Sequence, residues 1–146
     1  MASTIAPPSF ASCRHKREAE RQGRLLTLIA GLTDAANRSA AARALAAHAG
    51  AEHLIVFLLD PDLDILLPAP GFPQTLPQMQ QWQSFLAQCR SDFSHEGRLP
   101  FPNGSSLTTA TGVASEGGSV VVLLGGAPEM DMAIDIGLLL PIIAAA

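Results

Sequence analysis

Three acidic side chains alternate along one short stretch of the sequence in a rhythm that could hold a calcium ion. Asp60, Asp62 and Asp64 would occupy the first, third and fifth positions of such a loop. A calcium loop also needs a glycine at its sixth position and an acidic residue at its twelfth, where Ile65 and Gly71 stand instead. The stretch therefore predicts an acidic turn, in which aspartate side chains accept hydrogen bonds from nearby backbone amides.

The histidines and cysteines do not have the spacing of a zinc site or a catalytic pair. The four histidines are widely scattered: His15, His48, His53 and His95. Cys13 lies near the N-terminus, whereas Cys89 lies on the apolar side of a predicted helix and is expected to be a packed thiol. Because phosphate-binding glycine motifs and a nucleophile elbow are also missing from the sequence, we expect no catalytic residue, no metal site and no cofactor.

Composition narrows the class of protein. The chain has 146 residues, of which 48% are hydrophobic and only 15% charged, so we expect one domain with some apolar surface facing another chain or another domain. A net charge of -4 and an aromatic content of 5% argue against nucleic acid as a partner. The apolar stretch Met132–Ala146 is too short and too interrupted to predict a membrane span. Two cysteines without framework spacing indicate a reducing compartment, so a cytoplasmic location is expected.

Two apolar segments separated by the acidic turn predict the centre of a sheet. His53–Leu59 is a continuous apolar run after its histidine, which is typical of a strand covered on both faces. Ile65–Leu67 would return beside it. Ser119–Gly125, a third fully apolar run, is expected to be another central strand. The segments around Ile55 and Val121 should therefore be neighbours in the sheet.

The remaining elements follow from helical periodicity and turn signals. Asn37 or Ser39 is expected to cap the second helix, and Gly50 to end it. A tail over residues 1–14 is expected to be flexible, and 15–146 to form the domain. The other predicted elements are helices over about Ala19–Ala36, Ala40–Ala49, Gln78–Arg90 and Glu129–Ala146, strands around Arg98–Phe101 and over Leu107–Ser115, and a proline-rich loop over Pro68–Pro77.

This order of elements resembles a GAF domain, the small-molecule sensory fold of signalling proteins. The resemblance is carried by RLLTLIAGLTDAANRSAAARALAAHAGAEHLIVFLLDPDLDILLPAPGF, by WQSFLAQC and by SVVVLLGG with the helix after it. The N-terminal sensory region of bacterial sensor histidine kinases is similar in particular. The resemblance implies an α+β fold with a central antiparallel sheet of about five strands, helices packed on it, and the N- and C-terminal helices together on one face.

The resemblance also implies a site and partners. A ligand pocket would lie beside the sheet, and the terminal helices would pair in a homodimer that controls an output domain such as a histidine kinase. This chain contains no kinase domain, which is compatible with its being part of a longer protein. It also lacks the NKFDE-type motif of the members that bind cyclic nucleotides. The implied pocket residues are Phe57, Phe72, Trp82, Phe101, Thr109 and Thr111.

Three functions therefore compete. The first is a non-catalytic sensory or regulatory domain that binds an unknown small molecule. The second is a docking or dimerisation module with a closed core and no small ligand. The third, a GAF-fold enzyme such as free methionine sulfoxide reductase, needs several cysteines placed for disulfide exchange, and Cys13 and Cys89 make it the least favoured.

Overall fold

The computed structural model describes residues 19–20, 23–24, 26–34 and 36–138, in which two helices, two strands, a helix, three strands and a last helix follow one another. The predicted tail, Cys13, His15 and Pro141 lie outside the described residues. The elements are α1 (residues 26–32), α2 (Arg38–Ala49), β1 (His53–Asp60), β2 (Ile65–Pro68), α3 (Met79–Asp92), β3 (Ser94–Pro100), β4 (Leu107–Ala114), β5 (Val120–Leu124) and α4 (Met130–Leu138).

The strands form one antiparallel sheet of five strands in the order β2-β1-β5-β4-β3. Ile55 pairs with Val122, and Val56 pairs with Val121. All five residues of β5 are buried, as are Leu54–Phe57 in β1. The predictions of an α+β fold and of two neighbouring apolar strands are therefore confirmed, although β1 is fully buried only over Leu54–Phe57.

Helices cover the sheet on both faces, as neighbouring residues of β4 show. Gly112 packs against Cys89 and Phe85 of α3. Val113, the next residue, lies against Gly137 of α4. Successive residues of a strand point to opposite faces, so α3 and α4 lie on opposite sides of the sheet. We refer below to the α3 face and the α4 face.

The ends of α2 agree with prediction at one terminus and differ at the other. Gly50 adopts a left-handed conformation (φ 88°), and its amide donates to the carbonyl of Ala47. The helix begins at Arg38, two residues before the predicted start, and the side chain of Asn37 makes no capping hydrogen bond. Asn37 Nδ2 instead donates to Asp34 Oδ2 at 2.9 Å, so the local bond between the two side chains replaces the predicted cap.

The strand predicted around Arg98–Phe101 is longer than expected. It begins at Ser94 and pairs with β4 along its whole length to Pro100. Polar residues and a glycine make up much of β3, and it lies at the edge of the sheet. An edge strand buries less of its surface than a central one, which explains why the apolar pattern marked only its C-terminal end.

Candidate functional site

Three of the six predicted pocket residues meet on the α3 face of the sheet. The ring centroids of Phe57 and Trp82 are 5.8 Å apart, and those of Trp82 and Phe101 are 6.2 Å apart. His53, four residues before Phe57 on the same face of β1, places its ring 5.0 Å from that of Phe101. These rings form a continuous aromatic cluster between β1, α3 and the segment after β3.

The centre of this cluster is filled. Phe57 and Trp82 are both 0% exposed. Trp82 Nε1 donates to the carbonyl oxygen of Pro100 at 3.0 Å, so the polar atom of the buried indole has a partner. At the point where Phe57 and Trp82 meet, the space beside the sheet is therefore occupied by the protein's own side chains.

An open pocket remains at the rim of the cluster. It has a volume of about 130 Å³, and Phe72 and Phe101 are the two predicted site residues that line it. Its polar side comes from Arg43 and Glu52 and its aromatic side from His53. Phe72 comes from the predicted proline-rich loop, which Gln74 stabilises by donating from Nε2 to the carbonyl oxygens of the same loop.

The two predicted threonines lie elsewhere. Thr109 and Thr111 occupy alternate positions of β4, on the α4 face, opposite the aromatic cluster. Thr111 is buried. Thr109, which pairs with Arg98 of β3, is exposed and lies near the start of β4. The structure therefore places the six residues on two faces of the sheet.

Cys89 is a core residue whose thiol is held in its protonated form. It is 0% exposed and lies on α3 against Gly112. Burial, reinforced by the negative charge of Asp92, raises the pKa of the Cys89 thiol from 9.0 to about 12. A thiol of this kind is a poor nucleophile, because thiolate is the reactive form.

The acidic turn has the predicted construction. Asp60 Oδ1 accepts hydrogen bonds from the amides of Asp62 (2.9 Å) and Leu63 (3.3 Å). Asp64 faces Arg90 of α3, with 3.3 Å between the carboxylate oxygen and the guanidinium nitrogen. Among the described residues, no group of three or more histidine, cysteine or acidic side chains is arranged to hold a metal ion.

A buried arginine is the polar residue that sequence reasoning missed. Arg38 is 5% exposed, and its Nε donates to the carbonyl oxygen of Leu32 at 2.6 Å. Its Nη1 donates to the carbonyl oxygen of Pro70. The guanidinium thus joins the end of α1, the start of α2 and the loop after β2. Its position in the first turn of a helix resembles that of an ordinary surface residue, so no sequence signal distinguished it.

A second open groove lies between α3 and the outer edge of β3. Its volume is about 360 Å³, and both polar and apolar side chains line it. Gln81, Ser84 and Gln88 line it from α3, while His95 and Gly97 line it from β3. His95 packs on Phe85, with ring centroids 5.1 Å apart, so the floor of the groove is aromatic.

Comparison of the chain with protein-family models, with curated proteins and with solved structures finds no match in any of the three. Within the described ranges, none of the helices has the length and apolar character needed to cross a membrane.

Proposed function

We propose that the chain is a non-catalytic, GAF-like regulatory domain of a signal-transduction protein that acts by docking a second copy of itself. The observation that carries this proposal is the filled aromatic cluster, in which Phe57 and Trp82 are completely buried. A closed interior leaves the surface as the place where a signal is received. Among the competing hypotheses this favours docking over the binding of a small molecule in the core.

The arrangement of the helices supports a GAF-like layout. The amides of Ala127 and Glu129, which precede α4, donate to the carbonyl oxygens of Gly50 and Ala49 at the end of α2. Helix α1 approaches α2 at Gly31, where an added Cβ would lie 3.0 Å from Cβ of Ala41. These contacts favour N- and C-terminal helices that share one face of the domain.

Pairing through the terminal helices is the interface that the resemblance implies. Leu26 of α1 and Leu138 of α4 are candidates for it, since they are 52% and 62% exposed. The apolar residues Met132, Ala133 and Ile136 of α4 are buried within the protomer and are not available for such a contact. In the proposed mechanism, docking shifts the population of α4 arrangements and so controls an output domain such as a cytoplasmic histidine kinase.

Binding of a small molecule is the second candidate function, and the open pocket at the rim of the cluster favours it. Phe72 and Phe101 provide apolar walls there, and Arg43 and Glu52 provide charges of both signs. Its volume of about 130 Å³ is below the range of about 300–1,000 Å³ that is typical of ligand sites. The pocket is therefore better suited to a molecule of a few heavy atoms than to a nucleotide or a tetrapyrrole.

The enzyme hypothesis receives the least support. Reduction of methionine sulfoxide by thiols requires a thiolate and a resolving cysteine. Cys89 is buried and its pKa is raised to about 12, which opposes thiolate formation.

Native mass spectrometry of the purified chain tests the proposal. We expect a dimer whose mass is twice that of the chain, with no additional small molecule. A retained small molecule of constant mass would favour the second candidate function. A monomer without any adduct at all concentrations would overturn the proposed self-docking.

A further inference from the structure

The outer edge of β3 carries backbone groups that no strand among the described residues pairs with, because β3 is last in the sheet order. Two hydrogen bonds at its ends show which residues face inward. The amide of Ala114 donates to the carbonyl of Phe93 at 2.7 Å, and the amide of Phe101 donates to the carbonyl of Ser106 at 2.9 Å. In an antiparallel pair such residues alternate, so the odd-numbered residues of β3 bond to β4.

The even-numbered residues of β3 therefore present their backbone groups at the open edge. Ser94, Glu96 and Arg98 each offer an amide and a carbonyl there, whereas the carbonyl of Pro100 already accepts a hydrogen bond from Trp82 Nε1. The side chains of Glu96 and Arg98 are exposed and project on the α4 face. Within the part of the chain that the structure describes, neither side chain has a salt-bridge partner.

We propose that β3 pairs antiparallel with β3 of a second copy of this chain, about a two-fold axis that passes through Gly97. This inference rests on the proposed self-docking and places its interface at the edge of β3 instead of at the terminal helices. In this register Glu96 of each copy lies directly opposite Arg98 of the other. Each such pair exchanges two backbone hydrogen bonds and forms one cross-strand ion pair, and the symmetry supplies each contact twice.

Charge selects this register among those that the backbone permits. Only registers that place even-numbered residues opposite each other satisfy the open edge. A shift in one direction would place Glu96 opposite Glu96 of the second copy, and a shift in the other would place Arg98 opposite Arg98. Like charges directly opposite each other are destabilising, and opposite charges are stabilising.

Gly97 suits the position on the axis. Residues that face each other there form a pair without mutual hydrogen bonds, in which the Cα atoms approach to about 4.5 Å. A glycine places no side chain in this close contact. On the α3 face the groove beside β3 would meet its copy, and Gln81, Ser84 and Gln88 would supply a polar rim of the kind common at interfaces.

Charged residues at a sheet edge also serve to prevent pairing, and reversal of the charges separates the two roles. Sedimentation velocity across a range of protein concentrations measures the dimer dissociation constant of the full chain. Glu96→Arg or Arg98→Glu alone should weaken the dimer about tenfold or more, since each removes two attractive pairs and creates two repulsive ones. The double variant E96R/R98E restores opposite charges and should return the constant to within about threefold of the original.

Two matched variants identify the interface. Glu116→Arg makes the same change of charge at the exposed β4–β5 turn and should leave the dimer unchanged. Leu138→Glu should also leave it unchanged. A dimer that survives both single reversals at β3, or that only Leu138→Glu dissociates, overturns the edge pairing and leaves the proposed self-docking in place.

A crosslink tests the register independently of charge. In a Cys13→Ser background, Gly97→Cys places two thiols across the axis within the Cα separation that a disulfide needs. An added Cβ at Gly97 lies 3.5 Å from Phe85, so the substitution fits. We expect rapid formation of a disulfide-linked dimer under mild oxidation, but not with Ser105→Cys in the exposed loop before β4. Equal crosslinking of both variants would overturn the proposed axis.

Discussion

Gly112 of β4 lies directly against the Sγ atom of Cys89 in α3, and this contact fixes how closely the helix approaches the sheet. A Cβ atom on Gly112 would overlap Sγ and would also lie 2.9 Å from Cε1 of Phe85. Separations this short do not occur between real Cβ atoms and their neighbours. The strand is otherwise regular, so Gly112 is needed for packing and not for an unusual backbone angle.

Replacement of Gly112 by alanine should therefore destabilise the protein, although alanine loses less chain entropy on folding than glycine does. We expect Gly112→Ala to lower the free energy of unfolding by about 2 kcal/mol, the usual cost of an overpacked core. Urea denaturation followed by circular dichroism measures this change. Cys89→Ala in the same chain should recover part of the loss, because it removes one of the two overlapping atoms.

Gly97→Ala is the matched control for this substitution. Gly97 lies on the same face of the sheet, but an added Cβ there would contact Phe85 at 3.5 Å, which is an ordinary van der Waals distance. We expect a change within about 0.5 kcal/mol at protein concentrations that favour the monomer. Equal losses for both alanine variants would show that the space beside Gly112 is larger than the structure gives.

Cys89 should make stability depend on pH in the alkaline range. The folded protein holds the thiol proton up to a pKa of about 12, whereas the unfolded chain releases it near 9.0. The native state thus binds more protons between these values, so stability is constant below about pH 8.5 and falls as pH rises from 9 toward 12. The slope contributed by one proton is at most about 1.4 kcal/mol per pH unit.

Urea midpoints between pH 7.5 and 11 measure this slope, and two variants that differ only at Cys89 assign it. Cys13→Ser should retain the fall, and the double variant C13S/C89A should lose it. The chain has no tyrosine and a single lysine, Lys16, so few other groups titrate in this range. An identical slope in both variants would contradict the buried position of the thiol.

The strands of the sheet were predictable from the sequence where they are buried, and less predictable where they lie at an exposed edge. β5 and the Leu54–Phe57 part of β1 are covered on both faces, and their uninterrupted apolar runs predicted both their type and their adjacency. β3 borders one strand only, so Ser94–Gly97 can be polar and gave no periodic signal. Gly112 was recognisable only as a residue within a strand, because its role depends on Cys89, which is distant in sequence.

The candidate site was predictable as a set of residue types but not as an arrangement. Phe57, Trp82 and Phe101 came together as expected, since large aromatic residues in a predominantly aliphatic chain pack into the core. Thr109 and Thr111 lie on the opposite face because the register of β4 fixes the direction of each side chain. A shift of one residue, which the sequence alone cannot exclude, would have reversed this outcome.

Trp82 should report directly on the closed cluster. As the only tryptophan, fully buried beside Phe57, it should emit at shorter wavelength than free tryptophan and resist quenching by acrylamide in the native state. Trp82→Phe would leave the carbonyl of Pro100 without the indole donor and create a cavity, at a cost of about 2–3 kcal/mol. Gln83→Ala, at an exposed neighbouring position of α3, should cost less than about 0.5 kcal/mol.

A quenching rate as high as that of the unfolded chain would contradict the closed cluster and would favour an open pocket on the α3 face. The same titration distinguishes ligand binding at the rim. A small molecule bound beside Phe101 would alter Trp82 emission, because the two rings are in contact.

Arg38 should contribute more to stability than any exposed arginine. Its buried guanidinium donates hydrogen bonds to two carbonyl oxygens, in the place that water takes at an exposed site. Arg38→Ala would remove the donors to Leu32 and Pro70 and is expected to cost about 2–4 kcal/mol. Arg38→Lys keeps the charge but cannot supply the planar fork that reaches both oxygens, so most of the loss should persist. Thermal or urea unfolding measures both changes, with exposed Arg43→Ala of the same helix as the control expected near zero. If lysine restored full stability, the charge alone would account for the position, and the bond to the Pro70 loop would have no energetic role.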